Sequence, residues 1–139
     1  MEIVLDTNVL LAGLRSSRGA SHRLLQIIRN GGTCFNYHLS TAVALEYEEI
    51  LMRELVPSPY SPGDISRFLD DFVARGIRHA SITAWRPIST DPDDDALIEL
   101  AVTAAADTIV TFNTRHLKFA CTHGIILLTP GEILRRIET

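Results

Sequence analysis

Short runs of branched, apolar residues recur along this chain, and segments with helical spacing separate them. Glu2-Ile3-Val4-Leu5 reads as a strand, and so do residues 33–37, 108–112 and 125–128; Thr108-Ile109-Val110-Thr111-Phe112 is the clearest of them. Helical signals fill the intervals. Val9 to Leu14 is an apolar run with the look of a buried helix, and residues 19–29 place Leu24, Leu25, Ile27 and Ile28 on one face. Residues 42–55 follow a Ser40 or Thr41 cap, and Ser61-Pro62-Gly63-Asp64 opens a helix that runs to Gly76. Residues 57–63 between them form a connector too short to link domains. Residues 81–85 read as a short extended segment and 113–117 as a turn or short helix. Thr129-Pro130-Gly131-Glu132 is a capping box for a last helix ending near Ile137. Strands alternating with helices give an α/β fold, a mostly parallel sheet sandwiched by helices. Right-handed crossovers bring the carboxyl ends of such strands to one edge, where open α/β sheets bind their ligands.

Several acids are aimed at that edge. In Asp91-Pro92-Asp93-Asp94-Asp95, Asp91 suits a helix cap and Pro92 the first helical position. The helix that follows carries a polar stripe through Asp95, Glu99 and Thr103, opposite Leu97, Ile98, Ala101, Val102 and Ala105. At about 100° per residue, Asp94 lies nearly opposite the polar stripe, with Asp93 close behind. Complementing the helix dipole, worth about 0.3–1 kcal/mol per acid, accounts for Asp91, Asp93 and Asp95. It does not explain why Asp94 faces inward, where a lone carboxylate is costly without a cation. Asp6 ends the first strand; capping the next helix is the plain alternative for it. On the helix of residues 42–55, Glu46 and Glu48 flank the stripe of Val43, Tyr47, Ile50, Leu51 and Leu55, while Glu49 points to solvent. Periodicity does not choose between Glu46 and Glu48, and glutamates on such a helix are mostly solvated. Asn113 follows the clearest strand. Convergence of groups so distant in sequence is something capping alone does not predict.

The chain has 139 residues, enough for one domain over 1–139, and 46% of them are apolar, which excludes a disordered tail. No apolar run has the length of a membrane span, and no secretory signal precedes the first strand, so a cytoplasmic protein is expected. Cys34 and Cys121 lack metal-ligand spacing and read as buried free thiols. The five histidines form no zinc pattern. A formal charge of −4 argues against nonspecific wrapping of nucleic acid. It leaves open a metal-dependent enzyme acting on phosphates, because divalent cations reverse the sign of an acidic cluster. Twelve of the 13 basic residues are arginine, which fits phosphate or partner recognition or a simple composition bias.

In order along the chain, Ile3-Val4-Leu5-Asp6-Thr7-Asn8-Val9-Leu10, Ser40-Thr41 with Glu46, Asp91-Pro92-Asp93-Asp94-Asp95, Ile109-Val110-Thr111-Phe112-Asn113 and Leu128-Thr129-Pro130-Gly131-Glu132 resemble the PIN domain family. Among its members the sequence is most similar to those grouped as toxins of toxin–antitoxin systems, relatives of VapC. The resemblance implies a three-layer α/β/α sandwich and a ribonuclease whose acids bind Mg²⁺ or Mn²⁺. Carried over by position, Asp6, Glu46 and Asp94 are the catalytic and metal-binding acids; counting back from Ala106-Asp107-Thr108 favours Asp94 over Asp95, as helical geometry does. Asn8 and Thr111 match small polar positions that support the acids or a water, and Asp93 is a further supporting acid. Many members carry an acid where this chain has Asn113, which offers a carbonyl oxygen but no charge. His116 stands where some relatives have another acid and reads as a surface residue.

The residue types suit that chemistry. Hard dications prefer carboxylate oxygen, and such an ion activates water for in-line attack on a phosphodiester. The sequence carries no Gly-rich phosphate loop or Ser/His/Asp arrangement. Two readings follow: a metal-dependent endoribonuclease acting as the toxin of a toxin–antitoxin pair, or a PIN-like module with weak or no catalysis that binds RNA or protein. A phosphotransfer receiver is disfavoured, because it expects paired acids after the first strand and a late lysine, and the only lysine is Lys118. Expected partners are an RNA substrate, a cognate antitoxin and a second copy in a homodimer, with no membrane.

Overall fold

The computed structural model describes residues 1–31, 34–80, 92–115 and 117–138, with the side chains of residues 92–94, 118, 119 and 122 outside the description. Five strands form one parallel sheet: β1 (Glu2–Leu5), β2 (Asn36–Ser40), β3 (Ile77–His79), β4 (Thr108–Val110) and β5 (Ile126–Leu128), in the spatial order β3-β2-β1-β4-β5. Six helices connect and flank them among the described residues: α1 (Thr7–Arg15), α2 (Ala20–Arg29), α3 (Thr41–Leu55), α4 (Pro62–Arg75), α5 (Pro92–Thr103) and α6 (Pro130–Glu138). Successive residues of a strand face opposite sides, yet Ile3, Val4 and Leu5 of β1 and all of β4 are buried. Helices therefore cover both faces, and the fold is the three-layer α/β/α sandwich.

The strand order places a switch point beside β1. From β1 the chain winds outward through β2 to β3, then returns to the other side of β1 with β4 and continues to β5. Leu5 pairs with Val110, and Val110 with Leu128, so the carboxyl ends of β1, β4 and β5 lie level. Crevices outside such a point are where doubly wound sheets hold ligands.

Several local expectations change. The second strand runs over Asn36–Ser40 rather than residues 33–37. Its buried His38 and Ser40 are both bonded: the His38 ring lies 2.7 Å from Glu2 Oε1 and 2.8 Å from His79 Nε2, and the Ser40 hydroxyl accepts from the Val43 amide as the α3 cap. Strand β3 was not foreseen. It begins one residue after α4 because Gly76 passes close to β2: a Cβ there would stand 2.6 Å from Leu39 and 2.7 Å from the Tyr37 ring. Cys34 and Cys121 are free, but both are exposed rather than buried. The shift of β2 leaves Cys34 in the turn before it, and Cys121 lies on a 3-10 helix, Lys118–His123, in which Ala120 is buried. On α5 the buried face comprises Leu97, Ile98, Leu100 and Ala101, while Ala105 lies exposed beyond the helix in a left-handed conformation with φ 53°. The expected extended segment over 81–85, together with Asp91 and His116, lies outside the described residues.

Candidate active site

Asp6 occupies the cap position of α1 in an extended conformation, yet its carboxylate makes no cap hydrogen bond. The simple capping explanation therefore fails at this residue. Instead Asp6 Oδ2 accepts the Thr111 hydroxyl at 2.7 Å, one residue past the end of β4. Two backbone bonds fix the pairing: the Asp6 amide donates to Val110 O, and the Thr111 amide donates to Leu128 O, each at 2.9 Å. Thr111 is fully buried, and its hydroxyl oxygen also accepts the Asn113 amide at 2.9 Å. One side chain thus joins the carboxyl ends of β1 and β4 across the switch point.

Glu46 reaches the same neighbourhood from α3. Its Oε2 accepts the Thr7 hydroxyl at 2.9 Å, and Thr7 is the residue after Asp6. Next to Glu46 on α3, Tyr47 is completely buried, and its hydroxyl donates to the Leu5 carbonyl. Burial, and then the charges of Asp6 and Glu46, push the Tyr47 phenol well above its ordinary pKa, so it stays a neutral donor beneath the acids. Both carboxylates are half-buried. Helical periodicity did not separate Glu46 from Glu48, but their surroundings do. Glu48 is exposed and lines a groove of about 770 Å³ beside β3, with Leu45, Leu69, Asp70, Arg78 and His79, away from Asp6. The groove is lined by neither Asp6 nor Glu46, and the corner holds the chemically distinctive groups.

The supporting residues vary in their hold. Asn8 Oδ1 lies 3.5 Å from the Phe112 amide, a long contact, and Asn113 is exposed. Asp93 and Asp94 belong to the first turn of α5, and their side chains lie outside the described residues. Helix α5 packs against β1, which ends just before Asp6, against α3, which bears Glu46, and against β2. Among the described residues no group of three His, Cys, Asp or Glu side chains forms a metal cluster. The pair present is all carboxylate, each held by a hydroxyl donor, and this is a donor set for a hard dication. Thr7 and Tyr47 were missed as site residues: Thr7 directly follows an acid at a strand end, and Tyr47 was read only as part of an apolar stripe.

No curated protein matches the sequence. In structure the chain is similar to a chain of VapBC2 from Rickettsia felis, solved bound to a DNA fragment from their promoter. The TM-score is 0.59 at 16% identity, and the match covers 93% of this chain and 98% of that one. A family model described as PIN domain matches residues 2–115, and on that match the chain belongs to the PIN domain family, a family of nucleases.

Proposed function

We propose that this chain is a divalent-metal-dependent endoribonuclease, the toxin of a toxin–antitoxin pair. One observation carries the reading. The Asp6 carboxylate leaves the amides it is positioned to cap and joins Thr111 across the switch point, beside Glu46. Asp6 and Glu46, with Asp94 from the α5 first turn, would hold Mg²⁺ or Mn²⁺. When bound, such an ion supplies a lowered pKa for water and offsets the charge that builds on phosphodiester oxygens. The chain's own contribution is orientation. Thr111 and Thr7 each donate a hydroxyl proton to one carboxylate oxygen, which fixes how that carboxylate is turned. Asn8, Asn113 and Asp93 support the corner, Asn113 through a neutral carbonyl oxygen.

An antitoxin partner is supported by the likeness to a VapBC2 chain, since that protein was solved as a complex. Among the described residues no helix is long and apolar enough to cross a membrane. The test is cleavage of single-stranded RNA with Mg²⁺ or Mn²⁺ by the purified chain, repeated with Asp94→Asn and Asp6→Asn. Each substitution is expected to lower the rate by roughly 100-fold or more. Undiminished cleavage by Asp94→Asn would remove that residue from the mechanism. The exposed, uncharged Asn113 favours a second reading, a binding module without turnover. Calorimetric titration with Mn²⁺ in the presence of a substrate analogue separates the two, because a lost site takes up no ion.

A further inference from the structure

Phe112 stands between the two residues that build the β4 side of the site, and its side chain is out in solvent. It is 50% exposed, and it is the aromatic among the exposed large hydrophobic residues described: Met1, Leu45, Ile77, Phe112 and Ile126. Position accounts for three of the others. Met1 precedes the first strand, and Ile77 and Ile126 begin the two edge strands, β3 and β5, neither of which bears the acids. Leu45 lines the groove beside β3. Phe112 directly follows Thr111, the residue bonded to Asp6, and its own amide lies 3.5 Å from Asn8 Oδ1. It is also no loose tip: Thr111 before it is fully buried and bonded to Asp6, and the Asn113 amide after it is bonded to the Thr111 hydroxyl. The backbone is pinned on both sides, so the ring is held out rather than left out.

We propose that Phe112 is a stacking platform for an unpaired nucleobase next to the phosphodiester that an ion on Asp6 and Glu46 would hold. This rests on the nuclease reading and deepens it. An acidic chain of net charge −4 has little electrostatic hold on a polyanion. Stacking on an aromatic face needs no positive charge and accepts any base, since every base has a π-face. It requires a base free of its pairing partner, so the substrate is single-stranded and the platform fixes where along the strand the phosphate meets the acids. Phe112 is a positioning residue and takes no part in proton transfer or ion binding.

The experiment uses the full chain with Mn²⁺ and single-stranded oligoribonucleotides in which one abasic nucleotide is moved stepwise past the cleavage position. Cleavage gives KM and kcat, and fluorescence anisotropy gives binding, for the wild type, Phe112→Ala and Phe112→Tyr. The expected result is a KM raised about 5- to 150-fold in Phe112→Ala, with kcat changed far less and Phe112→Tyr near wild type. At one position the abasic nucleotide should penalise the wild type by a similar factor and Phe112→Ala hardly at all. If the wild type cleaves RNA while Phe112→Ala keeps its KM, or if the abasic scan is flat, the platform is overturned and the nuclease stands. Equal cleavage of duplex RNA overturns it too. If no RNA is cleaved but binding shows the same dependence on Phe112 and base, the nuclease reading fails and the platform stands. Absence of both overturns both, and a variant that loses only a protein partner assigns the ring to a protein contact instead.

Discussion

At the scale of single residues, the hydroxyls matter as much as the acids. The Thr111 hydroxyl proton serves Asp6, and its oxygen serves the Asn113 amide, all in a buried position. Thr111→Val keeps the shape and removes both bonds. Its expected cost is about 1 kcal/mol of stability, measured by denaturant unfolding. Under the proposed function it also weakens Mn²⁺ binding and cleavage by about 10- to 100-fold, because the Asp6 carboxylate loses the partner that aims it. Calorimetry and cleavage assays read that loss, and unaltered ion affinity would mean Asp6 is aimed by something else. Asp6 itself was legible in the sequence as an acid at a strand end, but not its choice between capping and convergence. That choice depends on a hydroxyl 105 positions away. Thr7 was invisible for a related reason: threonine at a helix start is common, and only the arrival of α3 shows which carboxylate it meets.

Elements formed where local chemistry was sufficient and shifted where pairing decided. Helix α4 starts at the expected Ser61–Asp64 segment, which proves to be a capping box, with the Ser61 hydroxyl accepting from the Asp64 amide and Asp64 accepting from the Ser61 amide, and α6 starts at the expected Thr129–Glu132 box. Both are written in adjacent residues. Strand β3 is three residues long, polar at Arg78 and His79, and exists because β2 lies beside it with His38 opposite Ile77. No periodicity announces such a strand. Two backbone points give a paired prediction. Gly76→Ala would press a methyl into the Leu39 and Tyr37 side chains, and the Tyr37 ring is held by its hydroxyl bond to Phe72 O. A loss of about 1–3 kcal/mol is expected. Ala105 ends α5 at φ 53°, a conformation costing a non-glycine residue about 1–2 kcal/mol, against about 0.5–1 kcal/mol of extra chain entropy lost by glycine. Ala105→Gly should therefore raise stability by about 0.5–1 kcal/mol in urea unfolding. A loss on that substitution would show that the turn is set by a contact of the Ala105 methyl.

Across the whole molecule, the acids at the carboxyl edge have a counterpart at the other end of the sheet, where charge is resolved by bonding within the chain. Glu2 on β1 accepts from the His38 ring on β2 and from the Asn36 side chain, and His38 meets His79 on β3, so one polar chain crosses three strands. The His38 bond foremost, and then the Asn36 bond, hold the Glu2 carboxyl below its ordinary value of 4.5. A carboxyl lowered in the folded state contributes stability that is complete above the unfolded value and is lost as pH falls through the lower folded one. The window thus opens near pH 4.5 and extends below it. Glu2→Gln should be less stable than wild type at pH 7, with the gap in unfolding midpoint closing as the pH is taken from 5 towards 3. A gap independent of pH would mean that the carboxylate charge contributes nothing and that Glu2 acts through shape alone. The two ends of β1 then differ in kind. Glu2 is bonded to histidine and asparagine from its own sheet, whereas Asp6 and Glu46 each accept a threonine hydroxyl, which orients the carboxylate. Under the proposed function, the hydroxyl bonds at the carboxyl end orient acids that take an ion, and the Glu2 network at the other end serves the sheet itself.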